Sequence, residues 1–452
     1  MLDKESLHLL QEALQKLEEP YASLPSFTPA ADAEALQAVL QETAGRMQDN
    51  FPFYHPLYVG QMLKPPHPMA RLAYAMAQFV NPNNHALDGG RASSLMEKEA
   101  VAQLAAMLDW PQHLGHLTGG GTMANLEALW VASKLQPGKT VLASELAHYT
   151  HERISAVLGI PFEKIAVDKQ GRLDLQALEA RLQRGDVGTV VATLGTTGLG
   201  AVDPLDKLVA LQQTWGFRLH ADAAYGGYFR LAGNLEPEVA RAFATLSQAD
   251  SVVIDPHKHG LQPYGCGCVL FRDPAVGRFY RHDSPYTYFT SEELHLGEIS
   301  LECSRPGAAA VALWATQRLL PLEQGGAFAQ DLEKCRQAAL QCWDQLQQSP
   351  HWMPLLPPAL DIVVYAPRAA DTDTISRLSQ QIFTAAAKKD LHLAQFRYPT
   401  RLLPTSWQGV EIRGEWVTCL RSCFMKPEHV EWLPEIWSRL EASREEVAGP
   451  QA

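Results

Sequence analysis

From Ser94 to about Leu320, short apolar runs alternate with helical stretches, and this alternation restricts the fold more than any other feature of the chain. The runs are TVLAS, KIAVD, VGTVVATLG, FRLHADAAY, SVVIDPH and CGCVLFRD. Strands of this kind, apolar on both faces and separated by helices, imply βαβ units around a mostly parallel sheet. Such sheets bind ligands outside the carboxyl ends of their strands, so the residues that close each run are the ones to read for chemistry.

On either side of this region the pattern changes. Residues 1 to 80 read as helices broken by the Pro- and aromatic-rich stretch PFYHPLYVG, and the polar turn segment NPNNHALDGGR follows. This is an N-terminal arm, not an independent domain. Its first residues, MLDKESLHLLQEALQKLEEP, scatter acids among apolar residues at helical spacing, unlike the basic flank and apolar core of a signal peptide. Beyond Leu320 come a long helix, DLEKCRQAALQCWDQLQQ, the strands LDIVVYAP and GVEIRGEWVTCLRSCF, and a closing helix from Pro427. The expected division is an arm at 1–80, a large domain at 81–322 and a smaller α/β domain at 323–452. A chain of 452 residues is long enough for two or three packed domains.

Composition removes several function classes. The formal charge of -12, with no cluster of Lys and Arg, argues against binding a phosphate backbone. No apolar run approaches the roughly 20 residues that cross a bilayer, so a soluble chain without membrane attachment is expected. The seven cysteines form an odd set beyond residue 260 without repeated spacing, which suits a reducing cytoplasm and not a disulfide framework. Cys266 and Cys268 have no second ligand pair and read as small buried strand residues; no metal is expected.

Three strand ends carry chemistry. SVVIDPH delivers Lys258 to the mouth of the sheet; alone it would read as a solvated lysine. FRLHADAAYGG delivers Asp222, flanked by small residues that let a flat ring approach the backbone; alone it would read as a turn former. LTGGGTMANL sets three glycines and a threonine before a helix, where Gly120, Gly121 and Thr122 suit a phosphate dianion, although a plain helix cap is an equal reading. The pattern is neither a dinucleotide fingerprint nor a Walker loop. Pyridoxal 5′-phosphate (PLP) unites the three: its aldehyde takes the Lys258 amine, its pyridine nitrogen stays protonated beside Asp222, and its phosphate needs the cradle. His148, after TVLAS, can lie flat over such a ring. His151, one helical turn on, raises an H-x-x-H zinc pair, but no further ligands accompany it.

In this order the Gly-Gly-Thr turn, His148, LGTTGLGAVDP, HADAAYGG and DPHK resemble the group II PLP-dependent amino acid decarboxylases, over roughly Asn50 to Pro427. The resemblance implies the fold type I (aspartate aminotransferase-like) architecture, a mostly parallel large domain with a smaller α/β C-terminal domain and the helical arm. It implies that Lys258 forms a Schiff base with the cofactor and that His257 lies near the phosphate. Asp222 would pair with the ring nitrogen, Ala224 would pack on one ring face, and His148 would stack on the other. Thr196, with Thr197 as the close alternative, would lie at the ring edge.

For the substrate, the resemblance points to Tyr54 and His55 of the arm and to Arg421, which reads equally well as an interdomain salt bridge. Tyr286 and Tyr288, on the loop after the lysine, are candidate proton donors to Cα, with packing tyrosines as the equal alternative. Arg305, which opens a helix, reads first as a structural salt bridge. The implied reaction is decarboxylation of an L-amino acid by a homodimer with its sites at the interface; the rival on the same fold is a carbon–carbon lyase of the sphingosine-phosphate lyase type. Two departures stand out: GGRASSLMEKE keeps Glu97 but lacks the family's usual Pro, and His259-Gly260 follows the lysine where aromatic-substrate members often have Trp.

Overall fold

The computed structural model describes residues 4–25, 27, 32–85, 87–281 and 299–449. Its larger sheet has seven strands: β1 (Leu114–Thr118), β2 (Thr140–Ser144), β3 (Phe162–Ile165), β4 (Val187–Thr193), β5 (Arg218–Asp222), β6 (Ser251–Ile254) and β7 (Gly267–Phe271). They lie in the order β1-β7-β6-β5-β4-β2-β3. The β2, β3, β4, β5 and β6 pairings are parallel, whereas β7 runs antiparallel to both β6 and β1. Every strand but β7 therefore points the same way, and their carboxyl ends share one edge.

Burial explains the strand sequences. β2, β6 and β7 are buried at every position, and β4 at all but its first, because helices cover both faces. Cys268 lies within β7 and Cys266 just before it, both fully buried as small apolar residues. β1 is the strand that the apolar runs do not announce: LGHLT is short and carries Gly and His. Its His116 lies 2.9 Å from Glu127 in an interior ion pair. Arg305 reaches Glu97 at 2.6 Å and the Leu117 carbonyl at 2.7 Å, and Glu97 accepts the Leu117 amide at 3.0 Å. The salt-bridge reading of Arg305 holds, and the pair pins two helices to β1.

The second sheet is antiparallel, in the order β10-β11-β9-β8, from β8 (Trp352–Pro354), β9 (Ile362–Pro367), β10 (Ala394–Pro399) and β11 (Trp416–Cys423). Helices Ala327–Gln348, Thr372–Ala387 and His429–Ala448 pack on it through Ala339, Cys342, Ile382, Leu433 and Leu440. The arm segment around Tyr58 docks onto this unit: Val59 donates to the His392 carbonyl at 3.0 Å, and Cys423 donates to the Val59 carbonyl at 2.7 Å. By contrast, helices Lys4–Glu18 and Ala33–Met47 bury none of their residues.

Candidate functional site

The carboxyl ends of β1, β4, β5 and β6 enclose a cavity of about 570 Å³, a size ordinary for a cofactor together with a small substrate. Its floor is the turn from β1 into helix Gly121–Leu135. Gly120 has φ +150°, which a side chain disfavours, and a Cβ there would lie 3.3 Å from His257 Cε1. A Cβ on Gly121 would lie 2.6 Å from Asp255 Oδ2. Backbone amides, not side chains, thus line this wall together with Thr122, and the helix dipole adds its positive end. The Gly119 amide already donates to an anion, Glu302 Oε2, at 3.0 Å.

Asp222 ends β5 with its carboxylate buried. His151 Nε2 donates to its Oδ2 at 2.9 Å, and the Ala224 amide donates to Oδ1 at 3.2 Å. Burial alone would raise this carboxyl, yet the hydrogen bond and charge of His151, with Lys258 and His220, hold it well below the usual carboxylate range. His151 is fully buried, and its hydrogen bond favours the charged form of Asp222. Behind it His220 lies 2.9 Å from Ser251 Oγ and 2.8 Å from Asn125 Oδ1, and burial pushes its imidazole down to about 3.

The Pro-His-Lys turn after β6 brings His257 and Lys258 to the cavity. Lys258 Nζ donates to Asp255 Oδ2 at 3.1 Å, three residues back, and the Lys258 amide closes the same turn on the Asp255 carbonyl at 2.9 Å. Asp255 was not singled out in the sequence, although its place in D-P-H-K, one turn before the lysine, was the available signal. Burial lowers His257, partly offset by Asp255.

His148 and Ala224 line the cavity as expected. Burial also lowers His148, against the pull of Asp222, so its ring is neutral near pH 7. Thr196 is a correction: it is buried, its hydroxyl accepts the Ala201 amide at 3.0 Å, and it is absent from the lining, where Thr197 stands instead. The loop must turn back at Gly195, φ +103°, and this points the first threonine inward. Tyr54 and His55 do not line this cavity either. Tyr54 lines a different cavity, and His55 packs edge-on against Trp432 at 4.9 Å, because the arm docks onto the smaller sheet. Arg421 is buried, and donates to the Thr197 carbonyl at 3.0 Å and to Gln61 Oε1 at 2.7 Å. It ties the cavity-lining loop to the arm and does not itself line the cavity. Tyr286 and Tyr288 lie outside the described residues.

These residues match one cofactor's demands. A phosphate fits the amide wall, a pyridinium fits Asp222, and an aldehyde fits Lys258; Asp255 Oδ1 and His257 Nδ1, on two lining residues, are buried without a hydrogen-bond partner. Comparison with known proteins agrees. Residues 126–364, more than half of the chain, match the pyridoxal-dependent decarboxylase conserved domain. The chain belongs to this family. The family's cofactor is pyridoxal phosphate.

Among relatives of this decarboxylase-family chain, an L-tyrosine decarboxylase of Enterococcus faecium is 28% identical over 389 residues, 64% of each protein. A probable L-aspartate decarboxylase of Pyrococcus furiosus is 25% identical over 332 residues, 73% of this chain and 87% of the relative. The chain thus matches a little under two thirds of the tyrosine decarboxylase's length. Two solved structures share the fold: mouse CSAD in apo form, with TM-score 0.77 and 18% identity over 98% of this chain and 99% of that one, and Oryza sativa TDC with PLP and tryptamine, with TM-score 0.78 and 16% identity over 98% and 96%.

Proposed function

We propose that this chain is a PLP-dependent L-amino acid decarboxylase, releasing the α-carboxylate as carbon dioxide and returning an amine. The observation that carries the reading is that Lys258, the glycine cradle and Asp222, backed by buried His151, meet at one cavity. When bound, PLP supplies an electron sink for the pair left at Cα as carbon dioxide departs. Asp222, kept ionised by His151, holds a proton on a ring nitrogen beside it. Neutral His148 offers a flat stacking face, and small Ala224 leaves room for the ring. The amides of Gly120, Gly121 and Thr122, with His257 beside them, would take the phosphate. Lys258 would hold the cofactor's aldehyde through its amine and would be placed to carry protons near Cα; Tyr286 and Tyr288 are the other candidates for the proton returned there.

Arg421 is read as a positioning residue for the Thr197 loop. The relatives above are named as decarboxylases, so the carbon–carbon lyase alternative is not carried forward. Their names make tyrosine and aspartate the first substrates to assay. We further propose a homodimer, supported by the unburied arm helices, in a reducing cytoplasm, supported by seven free cysteines.

The test is carbon dioxide release from tyrosine, aspartate and a wider amino acid panel. Lys258→Ala is expected to lose about three orders of magnitude or more in rate with PLP present, since the covalent anchor and its proton are both removed. Release at equal rates by wild type and Lys258→Ala sinks the proposal.

A further inference from the structure

Lys258 lines the cofactor cavity, and the next residue, His259, lines another one. This second cavity, of about 300 Å³, lies where the arm, helix Ala327–Gln348 and the segment Lys426–Glu428 meet. Pro65, Leu261, Phe328 and Leu332 give it apolar walls. Two ammonium groups border it. Lys426, 4% exposed, donates to the Tyr58 carbonyl at 2.8 Å, and Lys64 donates to the Met425 carbonyl at 2.9 Å. Among the described residues neither lysine forms an ion pair. Buried Lys426, which also lies over the Tyr58 ring at 5.4 Å, and half-buried Lys64 thus stand beside one cavity without a carboxylate in direct contact.

Burial and then the charge of Lys64 push the Lys426 ammonium down to about 7, against a partial offset from Glu428. Two carboxylates, Asp331 and Glu428, line the same cavity. Asp331 pairs with Lys334 at 3.5 Å, and no lysine of the cavity lies within ion-pair reach of either acid.

We propose that this cavity is a binding site for a free amino acid with a neutral apolar side chain. Lys64 and Lys426 take its carboxylate, Asp331 and Glu428 take its ammonium, and the apolar walls take its side chain. A ligand with one charge leaves one pair uncompensated, and a dianion meets the two acids. Occupancy would touch the catalytic cavity through few contacts: His259 Nε2 lies 3.2 Å from Asp361 Oδ2, and Asp361 Oδ1 accepts the hydroxyl of Tyr225 at 2.6 Å. Tyr225 lines the cofactor cavity. The site does not rest on the decarboxylase reading, because it is tested by binding.

Calorimetric titration of the holoenzyme with L-leucine as the probe decides it. Saturable binding is expected, weakened about ten-fold or more in Lys64→Met and in Lys426→Met, as for loss of a charge-assisted contact. 4-Methylpentanoate and 3-methylbutylamine, each lacking one charged end, are expected to bind more weakly than L-leucine. The visible cofactor band should be the same in both variants as in wild type. Lys64 is only half-buried, so its variant keeps the test usable if Lys426→Met does not fold. Absence of saturable binding in wild type, or equal affinity in wild type and the lysine variants, overturns the proposal.

Discussion

At the carboxyl edge of the seven-stranded sheet the charged groups find partners within the chain: Asp222 with His151, Lys258 with Asp255, and Glu302 with the Gly119 amide. Along the arm the situation is reversed. Helices Lys4–Glu18 and Ala33–Met47 bury nothing, and Leu36, Val39, Leu40 and Met47 face solvent at helical spacing. Charge at the sheet edge is arranged before any ligand arrives, whereas apolar area on the arm lies exposed among the described residues. The difference is one of local against imported stabilisation. Buried polar groups must be satisfied where they stand, but a helix can leave its apolar stripe for a partner to cover.

The comparison is most sharply tested at His151. His151→Phe keeps a ring in the same space but removes the largest influence that holds the Asp222 carboxyl down, so burial raises it against only the Ala224 amide, Lys258 and His220. We expect kcat/KM to fall about 10- to 100-fold, the cost of losing a hydrogen bond to a charged group. The pH–rate profile should also move, which a purely structural loss would not cause. An unchanged rate and profile would mean that Asp222 needs no support.

The opposite end of the comparison is the arm. Deleting residues 1–48 removes both unburied helices, and sedimentation is expected to show a smaller assembly than the full chain forms. The same oligomer in both proteins would show that these faces are not the contact.

The smallest effect is in stability against pH. Burial holds His148, His220, His257 and His259 below their ordinary value of 6.5, so the unfolded chain binds more protons than the native one as pH falls below about 6.5. Their contribution is complete above that value and is lost on acidification. Asp203, raised to about 6 by burial, works in the opposite sense, losing stability as pH rises through that value, but it is one group against these four and against His67, His113, His392 and His429, which burial also lowers. Thermal midpoints should therefore drop between about pH 7.5 and 5.5. A midpoint that rises over this range would contradict the assignment of neutral buried imidazoles.

How much of this was legible in the sequence follows the same division. Six strands of the larger sheet could be read from short apolar runs, and Lys258, Asp222, His148 and the glycine turn stand at the ends of strands or the start of a helix. β1 could not, because LGHLT gains its burial from Arg305 and Glu97, far away in sequence. His151 was visible only as a possible ligand, since its partner Asp222 lies 71 residues on. Thr196 and Thr197 are indistinguishable as letters; only the turn at Gly195 decides which one faces the cavity. That Tyr54 and His55 lie against the smaller sheet's unit could not be read, because a docking direction leaves no periodic mark.

The central claim is that Lys258 is the lysine that holds the cofactor. Borohydride reduction of the PLP-loaded protein, followed by peptide mass mapping, tests it directly. The account predicts a stable pyridoxyl adduct on Lys258 and its disappearance in Lys258→Ala. An adduct formed mainly on another lysine, such as Lys64 or Lys426 of the second cavity, would contradict it.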